Sequence, residues 1–215
     1  MRENRRMTTD RDTLIDELID AGGHVVSRGL VQASGGNLSV RLPGTDRFLV
    51  TGSGTWLDRL VPGDIAELTI DGEHVGGAER PSVEWRLHLR TYAVRPDVTA
   101  IVHLHPQHVL LVDMLGAPIR FTTLDHQFYL GSAGRVPFLP SGSHEVADAA
   151  AEAARDHDAV VLAHHGCSTF GESMSMALRR ALNLEEAATM TYRLLVAGDR
   201  TTTFPEEWRD RIVTV

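Results

Sequence analysis

Residues 98–106 read Val-Thr-Ala-Ile-Val-His-Leu-His-Pro. From 98 to 104 the run is apolar and β-branched, which is the composition of a strand buried on both faces, and Pro106 opens a helix reaching to about residue 115. Side chains at i and i+2 of a strand share a face, with Cα atoms roughly 6.6 Å apart by strand rise, so His103 and His105 project together. Two imidazoles placed this way can close on one metal ion, each ring nitrogen about 2.0–2.1 Å from a zinc. A lone histidine at a strand end is more often a partly buried side chain satisfied by a neighbour. A pair on one face, followed by a proline that fixes the exit, favours ligation.

Downstream, residues 158–163 form a further apolar strand that ends in His164-His165-Gly166. Strand ends in α/β sheets gather on one edge, so His165 is the natural third ligand, with Gly166 allowing a tight turn beside the metal. If the strand pleat persists to this point His164 points away, and it is expected to be structural or to support the ligands from behind. Upstream, Glu84 is the fourth candidate. It shares a helix face with His88 at i, i+4, a pair that by itself contributes about a few tenths of a kcal/mol on a surface.

The remaining chain surrounds these motifs with alternating elements. An amphipathic helix is predicted over 9–30, followed by a Ser-Gly-Gly-Asn turn at 34–37 and short strands at 38–41 and 48–51. A second Gly-rich corner, Thr51-Gly52-Ser53-Gly54, precedes a strand at 65–70 that Asp71-Gly72 closes. Ser82 is expected to cap a helix running to about 94, because Pro96 bars continuation past Arg95. Asp125, His126 and Tyr129 fall in a loop region; helices follow at 146–154 and 175–196, then a short tail with Trp208. No repeat, low-complexity linker or composition shift divides the chain. A single α/β domain is expected over 9–215, behind a flexible Arg-rich leader at 1–8.

Composition narrows the chemistry. With 215 residues, 42% hydrophobic and 23% charged, the chain is an ordinary globular protein long enough to bury a core. A net charge of −8 argues against nucleic acid or an anionic membrane as partner. None of the 21 basic residues is lysine, which excludes a Schiff-base enzyme, a pyridoxal-phosphate enzyme and a P-loop nucleotidase. The single Cys167 can form neither an internal disulfide nor a Cys-based zinc cluster. Without a signal-like or membrane-spanning run, a reducing cytoplasm is the expected compartment. The 11 histidines are the unusual feature, and their placement carries the reading.

Five motifs stand in order: Ser34-Gly35-Gly36-Asn37-Leu38-Ser39-Val40-Arg41, Thr51-Gly52-Ser53-Gly54, Pro81-Ser82-Val83-Glu84-Trp85-Arg86-Leu87-His88, Val102-His103-Leu104-His105 and His164-His165-Gly166. In order and spacing they resemble the class II aldolase/adducin family over residues 10–200. The resemblance implies a single-domain class II aldolase-like α/β fold, with a central, largely antiparallel sheet flanked by helices. It further implies that His103, His105 and His165 hold a Zn²⁺, with Glu84 both ligating the resting metal and acting as base. A phosphate cradle maps onto Ser34, Asn37, Ser53, Gly54 and Ser82, and the assembly expected is a homotetramer with its active site at the subunit contact.

The activity implied is a Zn²⁺-dependent aldolase cleaving a ketose 1-phosphate, such as L-fuculose 1-phosphate, to dihydroxyacetone phosphate and an aldehyde. Chemistry supports the metal independently: a retro-aldol cleavage leaves an enediolate, and without a lysine to make an iminium a Lewis acid is the remaining device. Three departures lie in the substrate-facing shell, one being that the family's C-terminal tyrosine has no match, since Tyr192 is the last in this chain. Family members often carry two hydroxyl residues before the glutamate where this chain has Ser82-Val83, and at the place of a proton-donating tyrosine from a neighbouring subunit it has Asp125-His126. Alternatives on the same scaffold are a decarboxylase of a hydroxy-aromatic or keto acid, with Arg135 or another Arg taking the carboxylate, and a sugar-phosphate epimerase or dehydratase. A non-catalytic adducin-like binding module would lack the histidines.

Overall fold

The apolar run at 98–104 becomes the strand around which the sheet is built. In the computed structural model the backbone of residues 2–212 is described, with the side chains of 11–209, 211 and 212; the side chains of the expected leader at 1–8 lie outside the described residues. The eight strands are β1 (Asn37–Arg41), β2 (Arg47–Thr51), β3 (Ile65–Thr69), β4 (His74–Gly77), β5 (Ala100–Leu104), β6 (Gly134–Val136), β7 (Ala159–Leu162) and β8 (Gly166–Gly171). Their order is β4-β3-β2-β1-β5-β8-β7-β6. Each neighbouring pair is antiparallel except β6 and β7, which are parallel. The sheet is thus largely antiparallel, as the motifs imply. β5 sits between β1 and β8 with all five residues buried.

Six helices cover the sheet: α1 (Arg2–Ser27), α2 (Trp85–Val94), α3 (Gln107–Met114), α4 (Leu124–Tyr129), α5 (His144–Ala153) and α6 (Met174–Val196). On β5 the pleat sends Ala100, Val102 and Leu104 to one face, where Leu18 and Val25 of α1 and Ala177 of α6 pack. Farther along that face, Val161 and Cys167 meet Val109 and Val112 of α3 and Leu184 of α6. Ile101 points the other way, into a cluster with Phe170, Leu162, Leu87 and Tyr92 of α2, and Val146 and Ala150 of α5. Each large apolar side chain buried this way contributes about 1.5–3 kcal/mol against exposure. The same pleat places His103 on the α2 side. No helix among the described residues is long and apolar enough to cross a membrane.

Three local expectations are corrected. Ser82 does not cap the helix: α2 begins at Trp85 with Glu84 at its cap, and Ser82 Oγ accepts from Glu84 N at 3.2 Å. Ser82 is instead tied back to the strand corner, its N–H donating to Thr51 O at 3.0 Å beside a Gly52–Pro81 bridge. The stretch with Asp125 and His126 is not a loop but the six-residue α4, whose start Thr123 caps by accepting from His126 N. The first helix stops at Ser27 rather than about residue 30, where Gly29 turns the chain with φ +72°.

Candidate metal centre

Three separated segments deliver four side chains to one point. His103 ends the buried face of β5 and His105 follows it two residues on; Glu84 stands at the start of α2; His165 occupies the turn between β7 and β8. His103 Nε2 lies 3.1 Å from Glu84 Oε2, and His165 Nε2 lies 3.0 Å from Glu84 Oε1. His105 Nε2 is 3.2 Å from His103 Nε2, and one ligand atom from each of the four residues lies within 4.8 Å of the others.

Two glycines permit this convergence. A Cβ on Gly166 would stand 2.3 Å from Leu104 O and 2.6 Å from His105 Cδ2, so only glycine lets the β7–β8 turn press against the histidine strand. A Cβ on Gly35 would stand 2.9 Å from His105 Nδ1, which brings the Ser34–Asn37 turn directly under that ring.

Around the four, buried polar groups fix the carboxylate. Asn37 Nδ2 donates to Glu84 Oε2 at 2.9 Å and Ser141 Oγ donates to Glu84 Oε1 at 2.8 Å. Because the Asn37 amide nitrogen faces a carboxylate, its Oδ1 faces His88 and accepts from His88 Nε2. His88 Nδ1 then accepts from Ser39 Oγ at 2.6 Å, and Ser39 Oγ meets Tyr92 OH at 2.8 Å. Burial, followed by the neighbouring His103, pushes His88 down to about 3, so the ring is neutral, as this chain of bonds requires. On the far side, His103 Nδ1 pairs with Ser168 Oγ at 3.1 Å.

The donor chemistry suits a divalent transition ion. Burial pushes the Glu84 carboxyl up, but the charges and hydrogen bonds of His103 and His165 outweigh it and hold the group well below the usual carboxylate range. Burial, with His103 and His165 nearby, pushes His105 down to about 4, leaving its ring nitrogen lone pair free at neutral pH. Three imidazole nitrogens and one ionised carboxylate are a donor set for a divalent transition ion, and the Ser168 bond orients the outer nitrogen of His103 as such sites require.

The expected cradle residues lie at two corners. Ser34 is exposed in the turn packed under His105. Ser53 is half-buried and Gly54 exposed, with φ +77°, while Ser82 is buried; the Gly52–Pro81 bridge sets the two segments side by side, two residues before Glu84. Asn37 is buried with its side chain engaged by Glu84 and His88. Asp125 and His126 share no hydrogen bond or ion pair with the four ligands among the described residues. Asp125 is exposed, and His126 is buried with Nδ1 accepting from Thr122 N at 3.2 Å and Thr123 N at 3.4 Å. Ser141, Ser168 and Ser39 escaped the sequence reading. Only Ser39 carried a signal, at i+2 from Asn37 on β1 and therefore on the same face.

Comparisons with known proteins agree with this geometry. The profile of the Class II Aldolase and Adducin N-terminal domain family matches residues 16–192. A 5-methylthioribulose-1-phosphate/5-deoxyribulose-1-phosphate aldolase from Rhodospirillum rubrum is 35% identical over 190 residues, covering 88% of this chain and 85% of the relative. A 3-oxo-tetronate 4-phosphate decarboxylase from Escherichia coli is 33% identical over 193 residues, covering 87% of this chain and 89% of the relative. A solved L-fuculose 1-phosphate aldolase matches with a TM-score of 0.85 at 28% identity, covering 92% of this chain and 93% of that one. Glu84, His103, His105 and His165 all fall inside the matched stretch, and the chain, with its largely antiparallel sheet, belongs to the class II aldolase and adducin N-terminal domain family.

Proposed function

We propose that this chain is a divalent-metal lyase that reversibly cleaves a short ketose 1-phosphate to dihydroxyacetone phosphate and an aldehyde. The observation that supports it is the convergence of Glu84, His103, His105 and His165 beside two Ser/Gly corners. These residues would hold a divalent ion such as Zn²⁺, which when bound would supply a Lewis acid for the charge that develops on the substrate's carbonyl oxygen. The chain has no lysine to offer in its place.

The residues divide the remaining work. His103, His105 and His165, whose Nε2 atoms face the same point, would hold the ion. Glu84 is ionised and carries two oxygens held by Asn37 and Ser141, so it is the group that takes the proton from the substrate hydroxyl as the C–C bond breaks and returns one to carbon. Ser34, Ser53, Gly54 and Ser82 offer hydroxyls and backbone N–H groups to the phosphate, with the second N–H of the Asn37 amide, whose other bonds go to Glu84 and His88, a neutral nest for a dianion. Asp125 or His126 of a neighbouring copy in a homotetramer is the donor to the aldehyde oxygen in the condensation direction, relaying the same proton between that oxygen and Glu84; the exposed Asp125, apart from its own chain's ligands, supports action across a subunit contact.

One contact weighs against decarboxylation. Arg135, the first of the arginines considered for a substrate carboxylate on that reading, is ion-paired with Asp113 at 2.6 Å, which leaves the role to another arginine. The test is to incubate zinc-loaded protein with a ketose 1-phosphate panel and with a panel of hydroxy-aromatic and 3-oxo acids. Release of dihydroxyacetone phosphate, abolished by a chelator, is expected; CO₂ release without any aldehyde product overturns the proposal. Light scattering of the same sample is expected to give about four chains per particle.

A further inference from the structure

His103 and His165 are oriented by different means. The outer nitrogen of His103 is held by Ser168, whereas His165 Nδ1 is buried with no hydrogen-bond partner among the described residues. Apart from its Nε2 contact with Glu84, nothing fixes the His165 ring on its outer side, so its placement there depends on the turn that carries it. That turn is under tension: His164 adopts φ +57°, in the left-handed region that a residue with a Cβ occupies at a cost. Besides the hairpin's own bond from His165 N to Leu162 O and the bond from Ala163 N to Val136 O of β6, one side chain grips it. Asp113 of α3, its carboxylate almost wholly buried, accepts from His164 N through Oδ2 at 3.2 Å. Its Oδ1 is held by Arg135 Nε of β6 at 2.6 Å, so the carboxylate bridges the helix after the histidine strand, the sheet edge and the turn.

We propose that Asp113, oriented by Arg135, is a positioning residue for the metal centre: through the backbone of His164 it holds the turn that presents His165. This rests on the reading of Glu84, His103, His105 and His165 as the metal site. Asp113 touches neither metal nor substrate. Its effect is read as metal affinity, and glycine at 164 removes the need for it, because glycine takes the left-handed conformation without strain.

The experiment measures Zn²⁺ affinity by competition with a chromophoric chelator for the unaltered chain, D113A, H164G, the D113A/H164G double variant and H165A. D113A is expected to bind Zn²⁺ about 10–100-fold more weakly, the usual loss when support behind a metal ligand is removed. H164G is expected to stay within about twofold of the unaltered chain, and the double variant to recover most of the D113A loss. D113A binding as tightly as the unaltered chain overturns the proposal. So does a double variant as weak as D113A, since Asp113 then acts by some route other than the turn. If the unaltered chain and H165A bind alike, the centre itself falls and the proposal with it, an outcome distinct from the first two. Should circular dichroism find D113A unfolded, the near-isosteric D113L and D113L/H164G, which offer His164 N no acceptor, carry the same comparison.

Discussion

Asn37 has an amide with a donor end and an acceptor end, and the two ends face different chemistry. The donor end meets Glu84 Oε2 and the acceptor end meets His88, which Ser39 and Tyr92 hold in turn. Glu84 is therefore presented to the centre by a buried polar chain whose members are each satisfied, the arrangement that rigidifies a site. E84Q keeps the volume and loses the charge and the basicity. Its expected phenotype is retained metal with a kcat lower by about 10²–10⁴-fold, the range for removing a general base, checked by elemental analysis alongside the aldol assay. Unchanged turnover removes Glu84 as base.

At the scale of elements, the β7–β8 hairpin is the part that brings the third histidine onto the strand of the other two. The register Leu104 to Cys167 and His103 to Ser168 leaves no room for a side chain on Gly166. G166A is expected to lose about 1–3 kcal/mol as the hairpin moves off β5, seen as a Tm lower by roughly 2–12 °C. A normal Tm with normal zinc affinity contradicts the close packing. The same hairpin shows where sequence reading stops. β5 and β7 are apolar and β-branched, so their identity as strands is written locally, and period-two spacing pairs His103 with His105. β8, Gly-Cys-Ser-Thr-Phe-Gly, carries glycine at both ends and two hydroxyls in its middle, which reads as a loop. It is nonetheless buried throughout, because Ser168 meets His103 and Thr169 Oγ1 donates to Ala177 O, partners that only the tertiary fold supplies. β6 has three residues and α4 six, too short for a period to declare itself. Ser141 reaches Glu84 across 57 residues of chain, and no spacing rule spans that gap.

At the scale of the whole molecule, both faces of the sheet are covered and one buried carboxylate ties distant elements together. Glu67 on β3 pairs with Arg11 of α1 at 3.0 Å and with Arg47 of β2 at 3.0 Å. Burial pushes the Glu67 carboxyl up, but Arg47 and Arg11 outweigh it and leave it below its ordinary 4.5. A depressed carboxyl stabilises the fold above that ordinary value, and the contribution is lost as pH falls through the lower folded value. E67Q is accordingly expected to be less stable than the unaltered chain by about 1 kcal/mol at neutral pH, both arginines being partly exposed, with the gap closing in acid. Denaturant titrations at pH 7 and pH 3 check this; a gap that persists at pH 3 contradicts it.

The same covered sheet delivers the four ligands, and the reading stands or falls on their joint grip on one ion. The most direct measurement is the metal-to-chain ratio, by elemental analysis, of tag-free protein and of H103A purified in parallel. About one transition ion per chain in the first and almost none in the second is the expected result. No metal in either, or an equal amount in both, contradicts it.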